Sequence, residues 1–494
     1  MGKRIGHFLD GKIITGGDRV GPVFNPATGQ QTGEVALADA AELGAAVEVA
    51  AAALPGWRET PLARRAEVMF RLRQLIKERG DELAAIITAE HGKVLGDAAG
   101  EISRGLENVD FCAGLPHLLK GEYAAQVSRG VDVHQVRQPV GVVACVTPFN
   151  FPAMVPLWMI TGAIACGNTV ILKPSERDPS AALWIAERFA EAGLPPGVLN
   201  VINGDAETVG AILDHPGIAA VSFVGSTPIA ESIYRRAAES GKRVQALGGA
   251  KNHMVVMPDA DLPAAADAAV SAAYGSAGER CMAVSVLVTV GDVADPLIDL
   301  VAERIAKLQI GDGTDPASEM GPLITEQARD RVASYVAGAS AEGATVVVDG
   351  REQQFDGDGF FLGVSLIDQV KPGMKVYDEE IFGPVLSVVR VDSYDDAVRL
   401  VNECEYANGV AIFTRDGKTA RSFEFDVEVG MVGVNVPIPV PVGTFSFGGW
   451  KRSLFGDTHI YGPESFNFYT RRKVVTTRWP DPSETQVNLG FPTH

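Results

Sequence analysis

Apolar residues recur at three- and four-residue intervals through residues 38–118, in stretches such as AELGAAVEVAAAALPGW and LARRAEVMFRLRQLIKERG. That period predicts amphipathic helices. The next stretch, VDVHQVRQPVG, reads as β structure. From about residue 141 the pattern changes. The apolar runs GVVACV, TVILK, VLNVING, IAAVSFVG and KRVQAL alternate with helical stretches such as VPLWMITGAIACG and SAALWIAERFAEAG. Strands alternating with helices predict βαβ units and a parallel sheet covered on both faces. Five such strands point to a doubly wound nucleotide-binding domain. A second α/β region follows from about 249 to 463, with a helix in DLPAAADAAVSAAY, strands in TVVVDG, GPVLSVVRV, GVAIFT and GMVGVNV, and a helix in DDAVRLVNE. The tail SFNFYTRRKVVTTRW alternates like an exposed strand, and a long bare edge invites pairing. Pairing with another subunit is the expectation.

At 494 residues the chain has room for two or more domains. Its net charge of −19 argues against nucleic acid and anionic membranes as partners. An anionic substrate would need a local cluster of Arg or Lys. The five cysteines, at 112, 145, 166, 281 and 404, are odd in number and scattered, with no CxxC pair for zinc. The N-terminus has no apolar secretory core. Together these predict a cytoplasmic protein without a structural metal. Residues 138–172 lack charge but contain prolines and asparagines that fit a strand–turn–helix–strand better than a membrane span.

Several residues carry candidate chemistry. Cys281, in SAGERCMAV, follows Arg280, and a neighbouring cation can favour a thiolate nucleophile. The alternative is a buried structural cysteine, as expected for the other four. Asn150, in VTPFNFP, sits in a turn stiffened by two prolines; it could donate to an oxyanion or simply cap the turn. In VSFVGSTP, Ser226 opens a helix whose N-terminus suits a phosphate, although many strand–helix turns look alike. Lys173 and Glu176, in ILKPSERDP, leave a strand at the sheet edge where ligands bind, and an acid there can accept from ribose hydroxyls. A solvated surface pair is the alternative. Glu380, in YDEEIFGPV, is either a ribose ligand or a helix-end acid.

The order of these motifs is more specific than any one of them. PFNFP, LKPSE, FVGS, a glycine-rich turn, GERC and EEIFGPV follow one another as in the aldehyde dehydrogenase superfamily, and the resemblance covers essentially the whole chain. It implies an α/β fold: a Rossmann-type cofactor domain, an α/β catalytic domain and oligomerisation β-strands. The boundaries it suggests are 1–120 with 140–248 for the NAD-binding domain, 249–463 for the catalytic domain, and 121–139 with 464–494 for the oligomerisation strands. The resemblance makes Cys281 the nucleophile, and Asn150 with the Cys281 N–H the oxyanion hole. Lys173 and Glu176 become contacts to the adenine ribose, with Glu176 favouring NAD over NADP. Gly225 and Ser226 take the pyrophosphate, Glu380 the nicotinamide ribose, and Phe149 and Phe382 complete the cofactor site. Ala230, where the family usually has glycine, is a mild departure.

The stretches PFNFPAMVPLWM, GAKNH, AGERCMA, FSFGGWKRSLFGD and FYTRRKVVTTRWP resemble one branch of that superfamily, the CoA-acylating enzymes acting on methylmalonate semialdehyde. The branch implies two arginines for the substrate carboxylate, here Arg280 and Arg104, for which bidentate guanidinium pairing gives a physical reason. A structural salt bridge for Arg280 and an exposed helix charge for Arg104 are the alternatives. NAD as cofactor, coenzyme A as co-substrate, a homo-oligomer, tetrameric in the family, and a role in valine, β-alanine or inositol breakdown are further implications. In the family's usual Glu-Leu-Gly-Gly-Lys turn, register set by Lys251 places Leu247 where hydrolytic members carry a water-activating glutamate. A shift of one residue would place Ala246 or Gly248 there, and none of the three is a base. A hydrolytic enzyme for another carboxylated aldehyde, such as succinate semialdehyde, is the competing expectation.

Overall fold

The computed structural model describes residues 3–479 and 483. Its two large sheets follow from the apolar runs. Val142–Val146 and Thr169–Lys173 are buried at every position, and so is the helix Met154–Ala165. Strands this apolar need cover on both faces, which is the setting of a parallel sheet.

The first sheet places Val142–Val146 at its centre. Thr169–Lys173 and then Leu199–Val201 lie on one side, Ile218–Val224 and then Arg243–Leu247 on the other, all parallel. The chain reverses its direction of winding between Val142–Val146 and Ile218–Val224, so a crevice opens at their C-terminal ends. Short antiparallel strands complete both edges. His7–Leu9 and Lys12–Ile14 extend the sheet beyond Leu199–Val201, and Leu454–Phe455 pairs with Arg243–Leu247. That last strand lies inside the 249–463 stretch of sequence but belongs to the first sheet. The helices expected over 38–118 are Ala40–Glu59, Leu62–His91 and Leu95–Ala113, followed by the short turn Leu115–Leu118.

The second sheet has seven strands, in the order Thr345–Val348, Ser365–Asp368, Val385–Val391, Val284–Val290, Asn252–Val256, Gly409–Phe413 and Met431–Val434. Only the first runs antiparallel to its neighbour. Residues 248–251 alone separate Arg243–Leu247 in the first sheet from Asn252–Val256 in the second. The C-terminal edge of one sheet therefore abuts the start of the other.

The tail forms the strand Thr470–Arg478, at the edge of a small sheet. It pairs along its length with Val131–Pro139 of the same chain, which pairs in turn with Glu122–Ser128. The tail strand is largely exposed on both faces of this three-stranded sheet: Val474 lies opposite Gln135 on one face, while Tyr123 and Val136 are exposed on the other. Residues 480–482 and 484–494 of the expected oligomerisation segment lie outside the described residues. Among the described residues, no helix is long and apolar enough to cross a membrane.

Asn168, fully buried, ties three elements together. Its Oδ1 accepts from the Gly141 N–H (3.0 Å), and its Nδ2 donates to Ala163 O (2.9 Å) and Tyr469 O (3.0 Å). Asn168→Ala removes all three side-chain bonds and strands the Gly141 N–H, while Ala163 O keeps the Asn168 N–H and Tyr469 O keeps the Val140 N–H. It is expected to cost at least about 2 kcal/mol of stability, read as a lowered urea or thermal midpoint.

Candidate active site

Each candidate residue sits at a strand end or in the turns facing it. Thr147–Asn150 continues Val142–Val146, Lys173 closes Thr169–Lys173, and Gly225–Ser226 follows Ile218–Val224, so three neighbouring strands deliver their termini to one edge. Lys173 is buried and its Nζ lies 3.3 Å from Glu176 Oε2, while Glu176 stays half-exposed. Ser226 is the N-cap of the helix Thr227–Glu239 in extended conformation, and its hydroxyl makes no capping bond. That N-terminus keeps its backbone N–H groups available to an anion. Ala230 is fully buried within the same helix.

The 248–251 turn joins this edge to the second domain. Gly249 N–H donates to Thr227 Oγ1 (2.7 Å), and Ala250 N–H donates to Glu380 Oε1 (2.9 Å). A Cβ on Gly249 would collide with the Glu380 carboxylate, so only glycine lets that acid approach the helix start. Lys251 is buried and donates to Val376 O (2.9 Å) and Glu379 O (2.7 Å), which fixes the turn carrying Glu380. Burial lowers this lysine to about 8. Glu380 moves the other way. Burial raises it to about 7 against the pull of the Ala250 N–H, Lys251 and Arg331.

Phe382, two residues on, has φ +55°, in the left-handed region that non-glycine residues rarely occupy. Its ring meets Phe149 edge-on at 5.9 Å between centroids. The Arg177 guanidinium covers Phe149 at 5.1 Å, and His91 stacks on it at 5.9 Å. The two aromatic residues expected at the cofactor site are thus in contact across the domain boundary.

Cys281 follows an unusual turn. Ser276, Ala277 and Gly278 all have positive φ, at 53°, 52° and 72°. Two non-glycine residues in that region store strain of a kind that accumulates at functional sites. The Asn252 amide spans the result, donating to Cys281 O and Ala283 O, both at 2.9 Å. Arg280 and Cys281 line two adjoining spaces. One also holds Glu380, Phe382 and Asn252; the other, of about 590 Å3, holds Glu101, Arg104, Phe151, Met154 and Val440. The thiol therefore stands between the cofactor edge and an open cavity. Burial pushes it up to about 12, reinforced by the Glu380 carboxylate and opposed by the N–H groups of Cys281 and Met282 and by Arg280.

Both candidate carboxylate-binding arginines face this cavity, and both already have acceptors. Arg280 pairs with Asp97. Arg104 lies 2.8 Å from Glu107 Oε1 and donates to Val440 O and Pro441 O, each at 2.9 Å. Asn150 is buried immediately before Phe151. Leu247 is buried in the same apolar cluster as Met282, against which Cys281 packs.

Sequence reasoning missed the residues that hold these groups: Lys93, Asp97, Glu101, Arg177, Thr227 and Asn252. Of these only Asp97 and Glu101 carried a signal, since their spacing of four and three to Arg104 places all three on one face of the helix Leu95–Ala113. The other four cysteines are free, and among the described residues no group of three or more His, Cys, Asp or Glu is placed to hold a metal.

Comparison with known proteins accords with this geometry. The aldehyde dehydrogenase family profile matches residues 14–475. A malonate-semialdehyde dehydrogenase of Pseudomonas aeruginosa is 56% identical over 490 residues, covering 98% of this chain and 99% of that one. A methylmalonate-semialdehyde dehydrogenase structure from Oceanimonas doudoroffii is 53% identical, with TM-score 0.96 over 98% of this chain and 99% of the other. A structure from Sinorhizobium meliloti solved with NAD is also 53% identical, with TM-score 0.97 over 98% and 100%. The chain belongs to the aldehyde dehydrogenase family.

Proposed function

We propose that this enzyme oxidises methylmalonate semialdehyde, and malonate semialdehyde, with NAD, and transfers the decarboxylated acyl group to coenzyme A. The observation that carries the reading is Cys281 in one cavity with Arg104 and Arg280. A cavity with two guanidinium groups beside a nucleophile suits an aldehyde that also bears a carboxylate. That carboxylate would exchange with Asp97 for Arg280 and compete with Glu107 for Arg104. The names of the Pseudomonas and Oceanimonas relatives support the substrate.

The strand-end residues fit NAD. The free N-terminus at Ser226, with Gly225, suits a pyrophosphate, the half-exposed Glu176 beside Lys173 suits a ribose diol, and Glu380 suits a second ribose. Phe149 and Phe382 offer apolar walls. NAD, when bound, supplies the hydride acceptor. Cys281 attacks the aldehyde carbon as a thiolate, and the Asn150 amide with the Cys281 N–H stabilises the oxyanion. Loss of hydride leaves a thioester on Cys281. The β-carboxylate then leaves as CO2, its electron pair passing into the thioester carbonyl, and the resulting enolate takes a proton. The CoA thiolate attacks the carbonyl and expels the Cys281 thiolate. Malonate semialdehyde yields acetyl-CoA and methylmalonate semialdehyde propionyl-CoA.

Leu247 favours thiol over water as acceptor. It supplies no base, and Ala246 and Gly248 beside it supply none either. Five free cysteines fit a reducing cytoplasm. The open edge of the tail sheet, with Tyr123 and Val474 exposed, suits a homo-oligomer.

The decisive assay supplies methylmalonate semialdehyde and NAD with and without CoA. Propionyl-CoA should form, and steady turnover should require CoA; CoA-independent release of a free acid would refute the acceptor assignment. Leu247→Glu should raise CoA-independent hydrolysis, measured as NADH and free acid. No increase would mean that another group governs water. In the cofactor-free enzyme, alkylation of Cys281 by iodoacetamide should rise about tenfold per pH unit from pH 7 to 10 without levelling, since only the thiolate reacts. Glu380→Gln removes a negative charge that raises the thiol, so alkylation at fixed pH should accelerate. A plateau below pH 9 would show that burial does not hold the thiol protonated.

A further inference from the structure

The fully buried ion pair Lys93–Glu101 is left without a role by the chemistry above. Lys93 Nζ lies 2.7 Å from Glu101 Oε2, and both side chains are 0% exposed. The remaining contacts of the pair converge on one loop. Lys93 Nζ also donates to Asn150 O at 2.6 Å and stands 4.4 Å from the Phe151 ring centroid. Glu101 Oε1 accepts from the N–H groups of Ala153 (2.9 Å) and Met154 (3.2 Å). Four of the five residues from Asn150 to Met154 therefore touch one ion pair.

We propose that Lys93 and Glu101 are positioning residues that set the Asn150 amide against the Cys281 thiol. Stability alone is a poor reason for such a pair. Taking two charges out of water is expensive, and apolar residues of the same volume often serve a fold as well or better. The pair supplies direction instead. Ala153 gives the helix Met154–Ala165 no side-chain cap, and the Glu101 carboxylate takes that place, where a negative charge is favoured. The same carboxylate anchors Lys93, whose ammonium fixes the Asn150 carbonyl from the opposite side. The 150–154 loop is thus held at both ends, at the Asn150 carbonyl and at the Ala153 and Met154 N–H groups, which restrains the backbone that carries the Asn150 side chain. Glu101 itself lines the cavity with Arg104 and Cys281, so the clamp belongs to the helix that also presents the substrate-facing arginine. The inference rests on reading Asn150 as an oxyanion donor.

The test compares Lys93→Met, Glu101→Gln, the double variant, Glu101→Asp and Asn150→Ala by thermal midpoint, NAD affinity, KM and the single-turnover burst of NADH. Each neutralising single variant leaves one buried charge unpaired and should lower both midpoint and burst rate. The double variant removes both charges. It should regain most of the midpoint yet keep a burst rate down by about tenfold or more, the scale of a misplaced oxyanion donor, with KM little changed. Glu101→Asp keeps the charge but is one methylene short. It should fold and bind NAD normally with a slowed burst, so the proposal stays exposed to test if the neutral variants do not fold. A double variant that recovers both stability and rate, or a Glu101→Asp enzyme with the wild-type burst, would overturn the proposal. An unaffected burst in Asn150→Ala would instead refute the oxyanion role of Asn150, whatever the clamp variants do.

Discussion

A parallel strand covered on both faces admits a polar side chain only where it finds a partner, and the two large sheets are built under that constraint. Val142–Val146 and Thr169–Lys173 are buried throughout, as is Asn252–Val256. Groups that do chemistry are pushed to the strand ends, where backbone hydrogen bonding stops and loops begin. Because only residues 248–251 separate the two sheets along the chain, the C-terminal edge of the first meets the second at a single seam. Cofactor-binding candidates from one sheet and the candidate nucleophile Cys281, which precedes a strand of the other, are brought to the same seam.

The seam concentrates charge that the rest of an acidic chain excludes, and nearly every charge there has a partner. Lys251 is held by two carbonyls and Lys93 by Glu101 and a carbonyl, while Asp97 holds Arg280. An unpaired buried charge would be costly or would lose its proton state. Glu380 shows the second outcome, raised by burial to about 7. Arginines that are already paired discriminate as well as attract. A neutral aldehyde gains nothing by displacing Asp97, whereas a carboxylate replaces one ion pair with another. On the proposed reading of Arg280, preference for carboxylated aldehydes follows from the balance of these two pairings.

Much of this was legible in the sequence wherever local pattern decides structure. The five strands of the first sheet and the helices of 38–118 follow from apolar period. Cys281, Glu380 and Ser226 stand out as candidates because each lies beside a turn with distinctive residues. Two kinds of feature escaped. Asn252–Val256 and Val284–Val290, the centre of the second sheet, were hidden because NHMVV runs on from RVQALGGAK with no turn long enough to mark a change of sheet. The supporting residues were hidden because their role depends on partners distant in sequence. Lys93 meets Asn150 across 57 positions, and Arg280 meets Asp97 across 183. The tail strand was legible as a strand, but its partner was not. Alternation reports an exposed face and is silent about which chain supplies the hydrogen bonds.

The choice between water and a thiol as acyl acceptor follows from the same economy of polar groups. Hydrolysis of a thioester needs a base to take a proton from water, which is a weak nucleophile. A thiol is acidic enough to contribute thiolate by itself, and thiolate is intrinsically the better nucleophile toward a thioester. An apolar residue at the end of Arg243–Leu247 therefore impairs one acceptor far more than the other. Leu247 is buried in the large apolar cluster that also holds Met282 and against which Cys281 packs, and on the proposed reading it stands where a hydrolytic enzyme would need a carboxylate. On the proposed reading, the missing base at Leu247 is itself what shifts the balance from water toward a thiol acceptor.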